Sequence, residues 1–170
     1  IVFWSKDYAN ILRDLDFWRG RTLHFNFTLN NCAELEPRVP PADVGIEQMR
    51  ILAAEFGPQR IDWRFDPVVF WDEGRRDNLA AFETLADRVA EIGVERCTFS
   101  FMTVYRKTIN RGRRLGIEFH DPPITRKREV TERLARAARA HGLTLLNCCN
   151  DGLEGIENLE PGRCIDGARL

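Results

Sequence analysis

Apolar and polar positions alternate most sharply in three short stretches of the chain. In residues 23–29, Phe25, Phe27 and Leu29 fall on one face and His24, Asn26 and Thr28 on the other. In residues 60–67, Ile61, Trp63 and Phe65 alternate with Asp62, Arg64 and Asp66, and a proline closes the run. In residues 97–104, Phe99 and Phe101 alternate with Thr98, Ser100 and Met102. A period of two predicts strands, each with one aromatic and one polar face. Residues 1–5, apolar and aromatic, and residues 143–146 read as two further strands.

Helical spacing fills the intervals. Tyr8, Ile11, Leu12, Leu15 and Trp18 form one stripe, with Asp7 as its cap and Gly20 as its stop. Ile46, Met49, Ala53 and Phe56 form a second, closed by Gly57-Pro58. Leu79, Phe82, Leu85, Ala86 and Val89 form a third, ended by Gly93. Thr125 would cap a fourth, carried by Val130, Leu134, Ala137, Ala138 and His141 and ended by Gly142. Apolar residues at this spacing, bounded by caps and glycines, predict amphipathic helices. Residues 30–41 and 68–76 read as loops, the second with exposed-looking Phe70 and Trp71. Residues 105–123 show no clear period, and a stretch of that length predicts a functional lid or a disordered loop. The tail through Asp166 reads as a short helix and a turn.

Strand, helix, glycine, strand recurs four times, which demands parallel strands joined by helical crossovers. A doubly wound sheet needs strands that are apolar on both faces. Here only one face is apolar, so the helices cover the aromatic side and the polar side lines an interior. The prediction is an α/β fold: a partial (βα) barrel of TIM type with about five parallel strands, forming a single domain over residues 1–170. A closed barrel fills its interior with bulky aliphatics, so a polar interior implies a ligand. The start at Ile1, with a strand under way, and residues 166–170, which read as the onset of another element, suggest a fragment lacking both termini.

Charge narrows the partners. Twenty-five basic and 26 acidic residues give a formal net charge of -1, so no general field draws the chain to nucleic acid or an anionic membrane. No run has the apolar length of a membrane span, and no secretory leader is visible. Five cysteines, two of them adjacent at 148 and 149, do not resemble a disulfide framework, and a reducing cytoplasm fits them. Gly-rich phosphate loops, His-Glu-x-x-His and Gly-x-Ser-x-Gly are all missing from the sequence, which sets aside the common nucleotide-binding, zinc-hydrolase and serine-hydrolase signatures.

In parallel α/β folds the site lies at the carboxyl ends of the strands. The residues there are Lys6 and Asp7, Asn26 and Thr28, Arg64 and Asp66, Ser100, Tyr105 and Lys107, and Cys148 and Asn150. Arg64 and Asp66 read either as an interior ion-pair network or as a clamp for a carboxylate or phosphate with a neighbouring base. Lys6 reads as a solvated loop residue or an anion binder. His24 reads as a satisfied core histidine, and Cys32 and Cys97 as a loop thiol and a core thiol. Tyr105, Arg106 and Lys107 suit a small anionic ligand or a solvated basic edge. The arginines at 111, 113 and 114 lack the interleaved aromatics that would point to nucleic acid.

Taken in order and spacing, Ile1-Val-Phe-Trp-Ser-Lys6, Phe25-Asn-Phe-Thr-Leu29, Trp63-Arg-Phe-Asp-Pro67, Ser100-Phe-Met-Thr-Val-Tyr-Arg-Lys107 and Cys164-Ile-Asp166 resemble the bacterial and archaeal family known as domain of unknown function 1848. The resemblance implies kinship with radical S-adenosylmethionine enzymes and a [4Fe-4S] centre in the full-length parent. The closely spaced cluster cysteines are not in this sequence, so no cluster is expected in this chain alone. Within that frame, strand-end position suggests catalytic roles for Asp66, Tyr105 and Lys6, and cofactor or substrate contacts from Asn26, Thr28, Arg64, Ser100 and Lys107; Lys6, Arg64, Asp66, Tyr105, Arg106 and Lys107 also match the family pattern. Cys148 and Cys164 match cysteines of the family pattern and are the implied metal ligands; Cys149 and Asn150 depart from that pattern. Two other readings stay open: a cluster-independent barrel hydrolase or isomerase for a small anionic metabolite, and a non-catalytic ligand-binding barrel.

Overall fold

A computed structural model of the chain describes residues 1–165 and 167. Residues 166 and 168–170, where the sequence suggests a new element, lie outside the described residues. Six parallel strands make the main sheet: β1 (Val2–Ser5), β2 (His24–Thr28), β3 (Ile61–Val68), β6 (Arg96–Phe101), β8 (Thr144–Asn147) and β9 (Leu159–Pro161), in that spatial order. Order in space follows order in the chain, so the sheet has no point at which the winding reverses. That separates it from a doubly wound sheet. The sheet has six parallel strands where five were expected, and it is not shown to close on itself.

The sixth strand replaces the short helix predicted for the tail. β9 holds no apolar alternation: Leu159, Glu160 and Pro161 pair in register with Leu145, Leu146 and Asn147, and of the three Leu159 packs on the core. Asn158 leads into it with positive φ and donates from Nδ2 to the carbonyls of Ala135 and Leu143.

Helices α1 (Ala9–Arg13), α2 (Leu15–Trp18), α3 (Ala42–Phe56), α4 (Phe82–Glu91) and α6 (Ile124–Ala140) supply the crossovers. The aromatic strand faces do meet the helices: Phe25, Phe27, Trp63, Phe65 and Phe99 share one core with Ile46, Met49, Phe82, Val89, Leu134 and Ala138. Trp63 stacks on Phe82 at 5.1 Å and Phe65 meets the same ring edge-on at 5.0 Å. Fully buried rings of this size each remove on the order of 150–250 Å² from water, so this layer dominates the stability of the fold.

The predicted loop over residues 105–123 is instead α5 (Arg106–Leu115) followed by β7 (Phe119–His120). Periodicity missed α5 because Gly112 is its one buried residue. A Cβ there would stand 2.5 Å from the Ile117 carbonyl oxygen, so glycine lets the helix press on the returning chain. The loop over 68–76 also carries strands, β4 (Phe70–Trp71) and β5 (Arg76–Asp77), which join β7 in a small antiparallel sheet of order β5-β4-β7. Phe70 and Trp71 are buried rather than exposed. Cys32, Leu35, Val69 and Trp71 form a second apolar cluster, with Met102, Ile117 and Phe119 packed on it.

Helix starts differ in detail from the sequence reading. α6 begins at Ile124 after Pro123, so Thr125 is inside the helix rather than its cap. The first predicted helix breaks at Asp14 into α1 and α2. No described helix is long and apolar enough to cross a membrane.

Candidate functional site

β3 carries the polar face on which the site is built. Its Asp62, Arg64 and Asp66 alternate with core aromatics, so all three side chains leave the helical layer for the opposite face. Asp62 sits deepest, where Oδ2 lies 3.0 Å from His24 Nε2 and Oδ1 3.8 Å from Arg96 Nε. His24 is therefore a core histidine with a carboxylate partner.

Two residues along, Arg64 donates from Nε and Nη2 to Asp66 Oδ2 at 3.2 and 2.5 Å. Ser100, on the neighbouring β6, donates its hydroxyl to Asp66 Oδ1. Both carboxylate oxygens are thus engaged and the side chain is fixed in place. Burial works to lower the Arg64 pKa, but the hydrogen bond and charge of Asp66, followed by contact with Cys148, outweigh it and hold the guanidinium above its ordinary value. Arg64 Nη1 is buried and has no hydrogen-bond partner.

A cavity of about 350 Å³ opens over this constellation. Asp66 and Ser100 reach it from the sheet, Tyr105 from the residue that precedes α5, Arg111 from α5 itself, and Glu36 from the loop after β2, while Leu35, Val69 and Phe119 supply apolar wall. Such a volume suits a small metabolite. Arg111 is steadied by donation from Nη2 to the Leu35 carbonyl at 2.7 Å. Beneath the wall, burial first and then the charge of Glu36 push the Cys32 thiol up to about 11.

The other sequence candidates fall at graded distances from this centre. Tyr105 is exposed at the cavity rim, where Thr108 bonds its backbone N–H and carbonyl at the start of α5. Lys6 pairs with Glu36 and reaches the cavity only through that carboxylate. Thr28, level with Arg64 in the β2–β3 register, lines an adjoining cavity of about 310 Å³ together with Glu36. Asn26 lies deeper, level with Asp62, and its backbone carbonyl accepts from the Tyr8 hydroxyl at 3.0 Å. Lys107 lines a neighbouring hollow with Tyr105, Arg111 and Glu36, apart from Asp66 and Ser100. Glu36 and Arg111 were not among the sequence candidates for the site. Neither carries a local signal, because each enters through the packing of a loop or of α5 against the strand ends.

At the far side of Arg64 lie three thiols in a row. Cys148 Sγ is 3.9 Å from Arg64 Nη2, 3.9 Å from Cys149 Sγ and 3.7 Å from Cys164 Sγ. Hydrogen bonding to the Cys148 sulfur, and its charge, raise the thiol pKa of both Cys149 and Cys164. Asn150 pins the turn, accepting from Phe101 N–H at 3.0 Å and donating to Asn147 Oδ1 at 2.6 Å.

The family follows from the sequence as a whole. Residues 1–170 match the family described as Domain of unknown function (DUF1848). The chain belongs to that family. No curated protein and no solved structure matches it.

The iron-sulfur centre that the resemblance implies can be tested against the donor set. Among the described residues no group of three or more His, Cys, Asp or Glu side chains is placed to hold a metal ion. Cysteines that hold a cluster ligate different irons and stand apart around it, whereas Cys148 and Cys164 have sulfurs in contact. Two contacting thiols by themselves do not make up the donor set of such a centre.

Proposed function

We propose that this DUF1848 chain is the substrate-binding wall of a partial-barrel enzyme, acting on a small metabolite that carries a hydrogen-bond donor at one end and negative charge at the other. One observation carries the reading: the fixed Arg64–Asp66–Ser100 constellation at the carboxyl ends of β3 and β6 opens into a cavity of about 350 Å³. The Asp66 carboxylate accepts from a ligand amine or hydroxyl. The Ser100 oxygen, having donated its proton, accepts a second bond. Arg111, with Lys107 further out, attracts the anionic end, and Leu35, Val69 and Phe119 exclude water from the apolar middle. Asp66 and Tyr105 are the groups able to take and give a proton there.

Within that frame we assign the parent enzyme to the radical S-adenosylmethionine-like, iron-sulfur class. Support comes from the resemblance and from parallel strands in sequential order with a polar inner face. Such a centre supplies the radical chemistry when bound, while the protein positions substrate and excludes side reactions. A second reading, a cluster-independent hydrolase or isomerase for a small anionic metabolite, draws on the same Asp66, Ser100 and Arg111 around the cavity.

Iron and sulfide quantitation after anaerobic purification and reconstitution of the longest natural form of the protein separates the two. About four irons per chain supports the radical class, as one cubane centre requires; none after reconstitution leaves the cluster-independent reading. Calorimetric titration with S-adenosylmethionine and with small amino acids, on the wild type and Asp66→Asn, tests the site itself. Binding that Asp66→Asn leaves untouched would remove Asp66 from it.

A further inference from the structure

The three thiols beside Arg64 do not line the ligand cavity, and among the described residues they belong to no group placed to hold a metal ion. Two features of the fold bring them together. Gly162 N–H donates to the Asn147 carbonyl at 2.7 Å, and a Cβ on Gly162 would stand 2.9 Å from that same oxygen. Only a glycine lets the tail lie this close to the end of β8, and it delivers Cys164 two residues later. On the β8 side, Cys149 takes positive φ in the turn that Asn150 clamps, which leaves Cys148 buried and Cys149 exposed. The result is a buried thiol touched by two accessible ones.

We propose that Cys148 and Cys164 form a reversible redox pair, closing an internal disulfide when a small-molecule disulfide such as oxidised glutathione reaches Cys164. The proposal goes beyond the ligand site and does not depend on which ligand the cavity takes. Sulfurs at 3.7 Å need a further approach of under about 2 Å to reach the 2.03–2.05 Å of a disulfide. Bonding of Cys148 to Cys149 is disfavoured, because adjacent Cα atoms about 3.8 Å apart fall short of the usual disulfide span of about 4.4–6.8 Å.

The chemistry balances in two exchanges. The Cys164 thiolate attacks one sulfur of the small disulfide, a mixed disulfide forms, and one thiolate leaves and takes up the proton that Cys164 gave up. The Cys148 thiolate then attacks Cys164 Sγ, and the second small thiolate departs with the proton lost by Cys148. Two protein thiols are oxidised by two electrons, and one small disulfide is reduced to two thiols. Arg64 Nη2 lies 3.9 Å from the Cys148 sulfur, so the buried partner of the second attack is held in place beside the incoming Cys164.

Oxidised glutathione, titrated into reduced wild-type protein freed of metal and reductant, provides the test. Thiol counting should fall from five free cysteines to three. The intact mass should drop by two hydrogens, and peptide mapping should join Cys148 to Cys164, all reversed by dithiothreitol. Cys148→Ser should stop at a stable glutathione adduct on Cys164, with an unchanged circular dichroism spectrum showing that it is folded. Five persistent thiols, stable adducts on the wild type without an internal bond, or a Cys148–Cys149 linkage would each overturn the pair. So would one zinc or iron ion per chain retained by the wild type and lost in Cys148→Ser, since the thiols would then be ligands.

Discussion

β3 supplies the carboxylates of two buried pairs, Asp62 with His24 of β2 and Asp66 with Arg64, and the pairs have different fates. His24–Asp62 is closed in on every side, with side-chain exposures of 6% and 8%. Arg64–Asp66 is equally shut at the arginine, 7%, but open at the carboxylate, 23%, where the cavity begins. Residue type does not separate them. Position along the strand does: the amino half of a parallel sheet is walled by its own neighbours, whereas the carboxyl half ends in loops that leave room for a ligand.

The largest effect that would sharpen this contrast is expected at the closed pair. Asp62→Ala removes the buried carboxylate that meets His24 Nε2 at 3.0 Å, and should destabilise the fold by about 3–5 kcal/mol in urea unfolding. A loss below about 1 kcal/mol would show that the amino-half pair is no more structural than its neighbour.

Alkali should strike the carboxyl end next. The folded Cys32 pKa, about 11, lies above the ordinary value of 9.0, so the fold favours the neutral thiol. That stability is complete below pH 9 and is lost as pH rises through 11, about 2–3 kcal/mol in all. Unfolding free energy measured between pH 8 and 11 should fall for the wild type and fall less steeply in Cys32→Ala, where the buried Cys97 and Tyr8, both raised by burial, keep part of the slope. Equal slopes would remove the thiol as the cause.

Asp66→Asn should cost stability only roughly 1–2 kcal/mol, because an amide oxygen still accepts from Arg64. Ligand affinity, read by calorimetry, should fall at least about tenfold. The reverse pattern, a large stability loss with affinity intact, would make the two pairs alike and collapse the distinction. At the bottom of the scale, Arg50→Ala breaks an exposed i,i+3 pair with Glu47 on α3 and should shift stability by under about 0.5 kcal/mol. A larger shift would mean that the helical layer is far less tolerant than either pair suggests.

The alternation of aromatic and polar residues in β2, β3 and β6 determined the parallel α/β fold, the side that the helices cover and the placement of Arg64, Asp66 and Ser100 together. Those outcomes are local: a period of two fixes faces, and strand, helix, strand fixes direction. The sequence alone did not determine β9, which pairs through backbone and has no apolar pattern, or α5, whose buried contact is a single glycine. The αL glycine at 116 and the arginines in the last turn were a helix-end signal that periodicity could not weigh. Only tertiary structure decided that Glu36 and Arg111 complete the cavity, that Lys6 is spent on Glu36, and that Cys164 meets Cys148 across 16 residues. Such meetings depend on where the ends of separate elements land in space, and no spacing along the chain encodes that.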